Sequence, residues 1–527
     1  MTGPTIVLLL ACVVGGVTLA AWSRDLWFTT DDLRLIGERY PLQLGALLEP
    51  HNDHWSTVVL LIDGVLNRWF GMTDFFPYLM VGIAVHLTVV VLVYAVMIRS
   101  RVDPWLAAAL SIPMIVYGPG FPLVPSQFQM PLAVCFGLAQ LLLVDVERPP
   151  WWRSALGLFA GLLAITTSGV GVAMVAGVGT AVLIRRGWLA AAVQVIPLAA
   201  VYSVWWATFG GTSDTPAPDP ALLPAWFAEI FRAVFAPFAD FPLWVVWLAI
   251  VAATLAVGWW LAWRDRPTYW RSLGAAPIGL VISALAVGLT SWLGRSGFGL
   301  VALTGGRFTY VVYACLAPAI AIAVGALVRR HRLLWVPALV ALLLATVGNI
   351  VTMGAWLTLG RVAAQSMRDT VDVAVHIAQD PHYPDEAVPI PTVMGGLRNV
   401  SLGFLRGQLR SGRLAAPTEP GSPEALAEAR LRATVTVVPT VAQDLEWSCR
   451  TIAGPKTLWL RPGVLHRIDT PMGEMRVEAR SGPLRGVSTV YSSWMGDALS
   501  LTDDERLQVR VVPEPAGTTL HLCRTAK

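Results

Sequence analysis

Residues 4–32 read PTIVLLLACVVGGVTLAAWSRDLWFTTDD. From Pro4 to Trp22 no side chain is charged, and two adjacent acids, Asp31 and Asp32, follow a short stretch later, after Arg24 and Asp25. A bilayer core takes roughly 20 apolar residues as a helix. A secretory signal would look similar, but it carries a basic start and a small-x-small cleavage site. Neither is present before Trp22, so the run reads as a retained helix.

Working outward, the whole chain has the same character. Of its 527 residues 55% are hydrophobic and 14% charged, with a mean hydropathy of +0.61. Soluble domains carry about 25% charged residues. The missing charge means that much of the surface meets lipid. The 23 tryptophans often stand beside charges or Pro and Gly, as in Trp151-Trp152-Arg153 and Trp263-Arg264. An interfacial aromatic belt has that pattern. A net charge of +4 gives no argument for nucleic acid.

The fold class expected is an α-helical polytopic membrane protein. About eleven spans are expected, near 4–22, 75–98, 104–118, 127–144, 154–170, 171–184, 188–209, 242–263, 273–293, 308–328 and 333–358. Those near 104–118, 154–170 and 171–184 are short, which tilt or broken helices accommodate. Alternate loops hold Arg99/Arg101, Arg148/Arg153, Arg185/Arg186, Arg264/Arg266/Arg271 and Arg329/Arg330/Arg332, whereas the loops near 118–126 and 166–171 hold no basic residue. Basic loops stay cytoplasmic. The expected N-terminus is therefore inside, and the loop 23–74 and everything after 358 are outside the cell membrane.

Three domain segments are expected: 1–360 transmembrane, 361–431 a helical and irregular linker, and 432–527 an extracytoplasmic all-β, sandwich-like domain. The last rests on the runs ATVTVVP, TLWLRP, MRVEAR, STVYSS, LQVRVVP and TTLHLC, spaced by turn residues. In the first exterior loop, WSTVVLLIDGVLNRWF (55–70) reads as a helix lying on the membrane, with a second over 31–48. The loop 210–241 continues from GGTSDTPAPDP into an amphipathic stretch, and 364–380 is amphipathic too. Cys12, Cys135 and Cys315 fall inside apolar runs as core residues. Cys449 and Cys523 form either a disulfide or two free thiols.

Candidate chemistry concentrates in the first exterior loop. FTTDDLRLIG (28–37) places Asp31 and Asp32 at the membrane surface, and LLEPHNDHWS (47–56) adds His51, Asn52, Asp53 and His54. Helix capping by Thr30-Asp31 and by Asp53 is the competing structural account. A divalent metal on Asp31, Asp32, His51, Asp53 and His54 is another, although the His spacing does not match the i,i+4 of a zinc helix. A second feature is GRSGFGLVALTGGRFTYV (294–311), in which Arg295 and Arg307 flank a Gly-rich stretch. Guanidinium forks match phosphate oxygens; snorkelling at the interface is the alternative. Gln127 and Gln129 could hydrogen-bond a sugar or a neighbouring helix. His86, inside a span, is a functional candidate by its location or a partner of a backbone carbonyl.

These residues resemble a known family. A first span, then the acidic pair Asp31-Asp32, then a long exterior loop with interfacial helices, resembles the GT-C superfamily of membrane glycosyltransferases. PHNDHWS (50–56) followed by VLNRWFGMTDFFPYL (65–79) is similar to an actinobacterial GT-C-type group in which a PHNGHWS-like run recurs. GRSGFGL…GGRFTYV is similar to that group's Gly-Arg…Ser-Arg-Tyr segment, with Phe308 where Tyr is usual and Asp53 where Gly is usual. The resemblance covers residues 1–360. It implies transfer of a sugar, with inversion, from a polyprenyl-phosphate donor to an envelope glycan, glycolipid or protein acceptor on the outer face. It implies Asp31 as general base, Asp32 as orienting acid or substitute base, and no required cofactor. Rival functions are a lipid-linked sugar flippase and a non-catalytic assembly protein of the envelope. A transporter's halves are usually related by internal symmetry, and none is visible here.

Overall fold

The computed structural model describes residues 2–38, 43–51, 54–117, 125–210, 217–235, 244–265, 274–303, 306–389, 400–417, 421–438, 447–453, 455–461, 464, 466–469, 474–492, 498–501, 506–514 and 519–525. In lipid an apolar chain must satisfy its backbone hydrogen bonds within itself, so each apolar run closes into a helix. The resulting helices are α1 (Gly3–Ser23), α2 (Thr30–Glu38), α3 (Leu44–Leu48), α4 (Thr57–Phe70), α5 (Phe76–Arg99), α6 (Pro104–Ile115), α7 (Pro125–Val144), α8 (Trp151–Ile165) and α9 (Val170–Arg186). They continue as α10 (Trp188–Phe209), α11 (Leu223–Val234), α12 (Trp244–Asp265), α13 (Ala275–Arg295), α14 (Arg307–Arg330), α15 (Trp335–Ala378), α16 (Leu402–Arg410) and α17 (Pro423–Thr434). Each expected span falls on one of them. Among the described residues six helices are long and apolar enough to cross a membrane on their own, and shorter apolar helices such as α6 and α8 accompany them.

One boundary differs from the expectation. The last span and the amphipathic segment 364–380 form a single 44-residue helix, α15. No proline lies within residues 338–378 to end it.

The chain divides into two compact units. The first is Met1–Asp25, Leu44–Ile62 and Phe76–Gly360; the second is Leu26–Gln43, Asp63–Phe75 and Arg361–Lys527.

In the first unit a continuous apolar core joins α1, α5, α6, α7, α9, α11, α13 and α14. Small residues let the helices meet closely, as expected where lipid removes the usual hydrophobic gain. A Cβ on Gly177 of α9 would lie 1.9 Å from Ser283 Oγ and 2.4 Å from the Gly279 carbonyl oxygen of α13. Leu10, Val13, Val14 and Val17 of α1, Leu189, Val193 and Ile196 of α10, and Leu343, Val347 and Val351 of α15 are exposed. Apolar stripes at helical spacing, left bare by the protein, are lipid-facing surfaces. Just beyond α7, buried Asp145 meets Arg185 (Oδ1 to Nε 2.5 Å, Oδ2 to Nη2 3.0 Å) and Arg99 (3.8 Å). Arg99 of α5 and Arg153 of α8 both donate to the Leu142 carbonyl of α7, so that with the Asp145 contacts the ends of α5, α7, α8 and α9 are tied together.

The second unit is assembled from sequence-distant pieces. Met72 N–H donates to the Arg413 carbonyl at 2.6 Å. Gly71, at φ +64°, lies so close to that strand of chain that a Cβ would sit 2.3 Å from the same oxygen. The Phe28 and Phe75 rings pack edge to face at 5.0 Å. Arg406 of α16 donates to the carbonyls of Ala378, Asp380 and Tyr383 and pairs with Asp385. After α17 the described residues form nine strands: β1 (Val435–Val438), β2 (Trp447–Ala453), β3 (Lys456–Leu460), β4 (His466–Asp469), β5 (Glu474–Ala479), β6 (Ser488–Ser492), β7 (Ala498–Leu501), β8 (Leu507–Glu514) and β9 (Thr519–Thr525). Two antiparallel sheets, ordered β1-β7-β4-β9-β2 and β3-β8-β5-β6, share a core of Val435 and Leu501 from the first and Leu458, Val477 and Val509 from the second. The expected all-β sandwich is therefore present. Cys449 and Cys523 face each other in the β2–β9 register and are joined as a disulfide. Cys12, Cys135 and Cys315 are free and buried.

Candidate functional site

Why the acidic turn sits where it does follows from helix-end chemistry. The first N–H groups of a helix lack intrahelical acceptors, and an acid three residues past the cap can reach back to supply one. Here Thr29 is the cap and Asp32 the third helical residue. The Asp32 carboxylate accepts from Thr29 N–H at 2.7 Å and from Thr29 Oγ1 at 2.8 Å. Its negative charge also opposes the positive end of the α2 dipole. Asp32 is 0% exposed. The sequence suggested Thr30-Asp31 as the capping pair; the structure uses Thr29 and Asp32. Asp31, beside it on the same turn, is half-buried and keeps contact with the surface.

The amphipathic helix α4 is arranged differently from the interfacial reading of its polar residues. Leu61, Val65, Trp69 and Phe70 are exposed, whereas Asp63 is 2% and Asn67 7% exposed. The i,i+4 pair Asp63/Asn67 thus forms a buried polar stripe. Neither carboxylate oxygen of Asp63, nor Oδ1 of Asn67, has a hydrogen-bond partner among the described residues. Burial pushes the Asp63 carboxyl well above the usual carboxylate range, and the negative charge of Asp32 pushes it further. Both acids belong to the second unit. In the sequence Asp63 interrupts an otherwise apolar run. Its spacing to Asn67 was the available signal.

The histidines belong to the first unit. His51 and His54 exchange backbone hydrogen bonds of 2.9 Å, closing a tight turn. Asn52 and Asp53 lie outside the described residues. The turn is clamped on both sides. Trp55 stacks on Trp205 of α10, ring centroids 5.1 Å apart and 7° from parallel. Trp205 Nε1–H donates to the Leu48 carbonyl at 2.7 Å. Val58 N–H donates to the Thr166 carbonyl. The His54 ring lies against Gly169, where a Cβ would be 3.0 Å from Nδ1.

Arg295 closes α13 and Arg307 opens α14. Both are half-buried. Short 3-10 turns, Ser296–Phe298 and Leu300–Leu303, run between them, with Gly299 at φ +78° and Gly306 at φ +64°. Those angles suit glycine and explain the composition of the stretch. The Arg307 guanidinium lies 5.5 Å over the Phe308 ring. Gln129 is buried in α7. His86 has a defined structural role: Nε2 lies 3.0 Å from the Ile115 carbonyl and Nδ1 3.0 Å from Tyr310 Oη. The carbonyl can only accept, so Nε2 carries the proton and Nδ1 accepts from the tyrosine. Tyr310 as the partner of His86 was not foreseen.

The structure therefore groups the sequence-derived residues as Asp31 and Asp32 in one unit, and His51, His54, Gln129, Arg295 and Arg307 in the other. Among the described residues no cluster of three or more His, Cys, Asp or Glu could hold a metal ion.

No family model and no curated protein matches the sequence. Among solved structures the chain is similar to ArnT from Cupriavidus metallidurans bound to undecaprenyl phosphate, with a TM-score of 0.50 and 15% identity over 77% of this chain and 85% of that one. The likeness establishes a GT-C-like fold.

Proposed function

We propose that this chain is a membrane glycosyltransferase that moves a sugar from a polyprenyl-phosphate carrier to a cell-envelope glycan, glycolipid or protein on the outer face of the cell membrane. The observation that supports this best is the shared fold with ArnT, a protein whose structure holds undecaprenyl phosphate, combined with a half-buried acid, Asp31, on the first turn after the first span. The N-terminus would be cytoplasmic, as the basic loops imply.

An alcohol is a weak nucleophile and needs a positioned base. In the proposed reaction Asp31 takes the acceptor's hydroxyl proton as that oxygen attacks the anomeric carbon. The bond from that carbon to the carrier's phosphate oxygen breaks with inversion, and the electron pair leaves on the phosphate. The proton then passes from Asp31 to water. Arg295 and Arg307 are the groups proposed to meet the developing phosphate charge, since prearranged cations act strongly where water is excluded. Asp32 orients the turn. His51, His54 and Gln129, with Asn52 and Asp53, are proposed to contact the sugar. The phosphate ester supplies the activation, so no cofactor is proposed.

Full-length protein in lipid nanodiscs, given a panel of undecaprenyl-phosphate pentoses and hexoses with envelope glycan acceptors, should release undecaprenyl phosphate and extend the acceptor. Asp31→Asn should lower the rate by about 100-fold or more. Undiminished transfer in that variant would remove Asp31 as base. Failure of every sugar in the panel with correctly folded protein would count against the transfer reaction.

A further inference from the structure

Where α5, α7 and α9 end and α8 begins, guanidinium groups converge. Arg99 and Arg153 donate to one oxygen, the Leu142 carbonyl, at 2.8 and 2.9 Å. Arg99 and Arg185 share Oδ2 of Asp145, with Nε at 3.8 Å and Nη2 at 3.0 Å. Nη1 of Arg186, next in α9, is buried without an acceptor among the described residues. The Asp145 side chain is 1% and that of Arg185 8% exposed, so water and salt screen these charges poorly. Helix C-termini attract cations, which explains why some gather here. They do not balance four. Against four guanidiniums stand one carboxylate and helix dipoles that together supply about one negative charge. Exposed Glu147 and Arg148 offset one another, as do Arg101 and Asp103. Positive charge is left over, and guanidiniums held on one carbonyl and one carboxylate repel each other unless a further anion joins them.

The surroundings favour a lipid as the source of that anion. Trp151, Trp152 and Trp188, at the same helix ends, are exposed, which is how side chains at headgroup level are arranged. Further along the same helices the bare faces are apolar: Leu156 and Phe159 on α8 and Val193 and Ile196 on α10 are exposed. Arg153 is half-buried, and its guanidinium makes no other hydrogen bond among the described residues. Most of its fork is left for phosphate oxygens. We propose that this cluster binds one anionic phospholipid, its phosphate held by Arg153 beside Arg99 in the field of Arg186, and its acyl chains along α8 and α10. The phosphate supplies the missing counter-charge and steadies the ends of α5, α7, α8 and α9. Basic pockets between helices take anionic headgroups in this way. By the basic-loop rule the lipid belongs to the inner leaflet, and its binding does not depend on the glycosyl-transfer reading.

Full-length protein stripped of lipid in detergent is titrated with phosphatidylglycerol or phosphatidylcholine, and bound lipid is counted by native mass spectrometry. One phosphatidylglycerol should bind in clear preference to phosphatidylcholine and raise the melting temperature. Arg153→Gln should weaken its binding about fivefold and Arg153→Gln/Arg186→Gln about 25-fold, as the loss of one and two basic residues near a headgroup implies. Both variants leave the Asp145 contacts in place; should the double variant not accumulate, Arg153→Gln alone carries the test. Arg329→Gln/Arg330→Gln, exposed at the end of α14, removes the same charge elsewhere and should leave binding within about twofold, since exposed charges more than about 10 Å away are largely screened. The proposal is overturned if phosphatidylcholine binds as tightly, if the Arg153 variants bind phosphatidylglycerol like wild type, or if the α14 variant loses as much, which would mean diffuse charge and no site. Inorganic phosphate at millimolar concentration should leave the melting temperature unchanged; protection equal to that by phosphatidylglycerol would assign a soluble anion and overturn the lipid.

Discussion

Asp31 and Asp32 are neighbours in sequence, yet their substitution should have opposite consequences. Asp32 accepts two hydrogen bonds, of 2.7 and 2.8 Å, from Thr29 and is fully buried. Hydrogen bonds to a charged group contribute about 1.5–3 kcal/mol each. Taking the lower end for both, Asp32→Ala costs about 3 kcal/mol, and the lost complement to the α2 dipole adds about 0.3–1 kcal/mol. Asp32→Asn keeps an acceptor oxygen at neutral strength, so its cost falls to about 1 kcal/mol. For a unit of this size, about 3 kcal/mol corresponds to roughly 6–12 °C of melting temperature. Asp31→Ala, on a half-buried side chain, should move the melting temperature by about 1–2 °C at most, as surface changes do. Thermal unfolding of the purified variants in detergent, followed by intrinsic tryptophan fluorescence, measures this directly. On the functional side, Asp32→Asn should retain transfer within about tenfold, and Asp31→Asn should lose about 100-fold or more. If Asp32→Ala melts with wild type, or if the two alanine variants are equally destabilised, the capping argument fails.

Other parts of the fold give separate expectations. The Cys449–Cys523 link closes a separation of 74 residues, so Cys449→Ser/Cys523→Ser should cost about 4 kcal/mol on the chain-entropy account. Non-reducing gels should show the bond in material from the envelope, and an unchanged melt after reduction would refute its contribution. Asp145→Ala leaves the Arg185 guanidinium buried without its counter-charge and should cost about 3–5 kcal/mol, whereas Asp145→Leu/Arg185→Leu should recover most of it. Equal losses in the single and double variants, by thermal aggregation in detergent, would argue against a desolvated pair. Tyr310→Phe removes the hydroxyl that reaches His86 Nδ1. A buried acceptor left without its donor costs about 1–3 kcal/mol, so a melt unchanged from wild type would refute that hydrogen bond.

How much of this was legible in advance depended on the range of the interaction. The spans were legible because a bilayer-crossing helix announces itself locally, through some 20 apolar residues and a change of character at each end. The β-sandwich was legible as alternating runs with turn residues between them. The amphipathic segment within 210–241 was recovered as α11 for the same reason. The junction of the last span with the helix after it was missed, because no helix-breaking residue marks where one begins and the other ends. The cap at Thr29 was missed by one residue: Asp31 and Asp32 are the same residue type, and only the direction of each side chain separates them.

The sequence by itself determined the membrane class, the order of the helices, and the placing of the candidate acids, histidines and arginines at helix ends and loops. Each of those follows from composition and periodicity within a window of some tens of residues. Tertiary structure alone decided which acid is buried and which is half-exposed, and that Asp63 and Asn67 are buried on a helix whose Leu61, Val65 and Trp69 are exposed. It also decided that Leu26–Gln43 and Asp63–Phe75 form one compact unit with the chain after Arg361. Those outcomes depend on contacts such as Met72 N–H to the Arg413 carbonyl, between residues more than three hundred positions apart. Local pattern carries no record of such partners, because a buried carboxylate and a solvated one are the same letter until the surrounding atoms are in place.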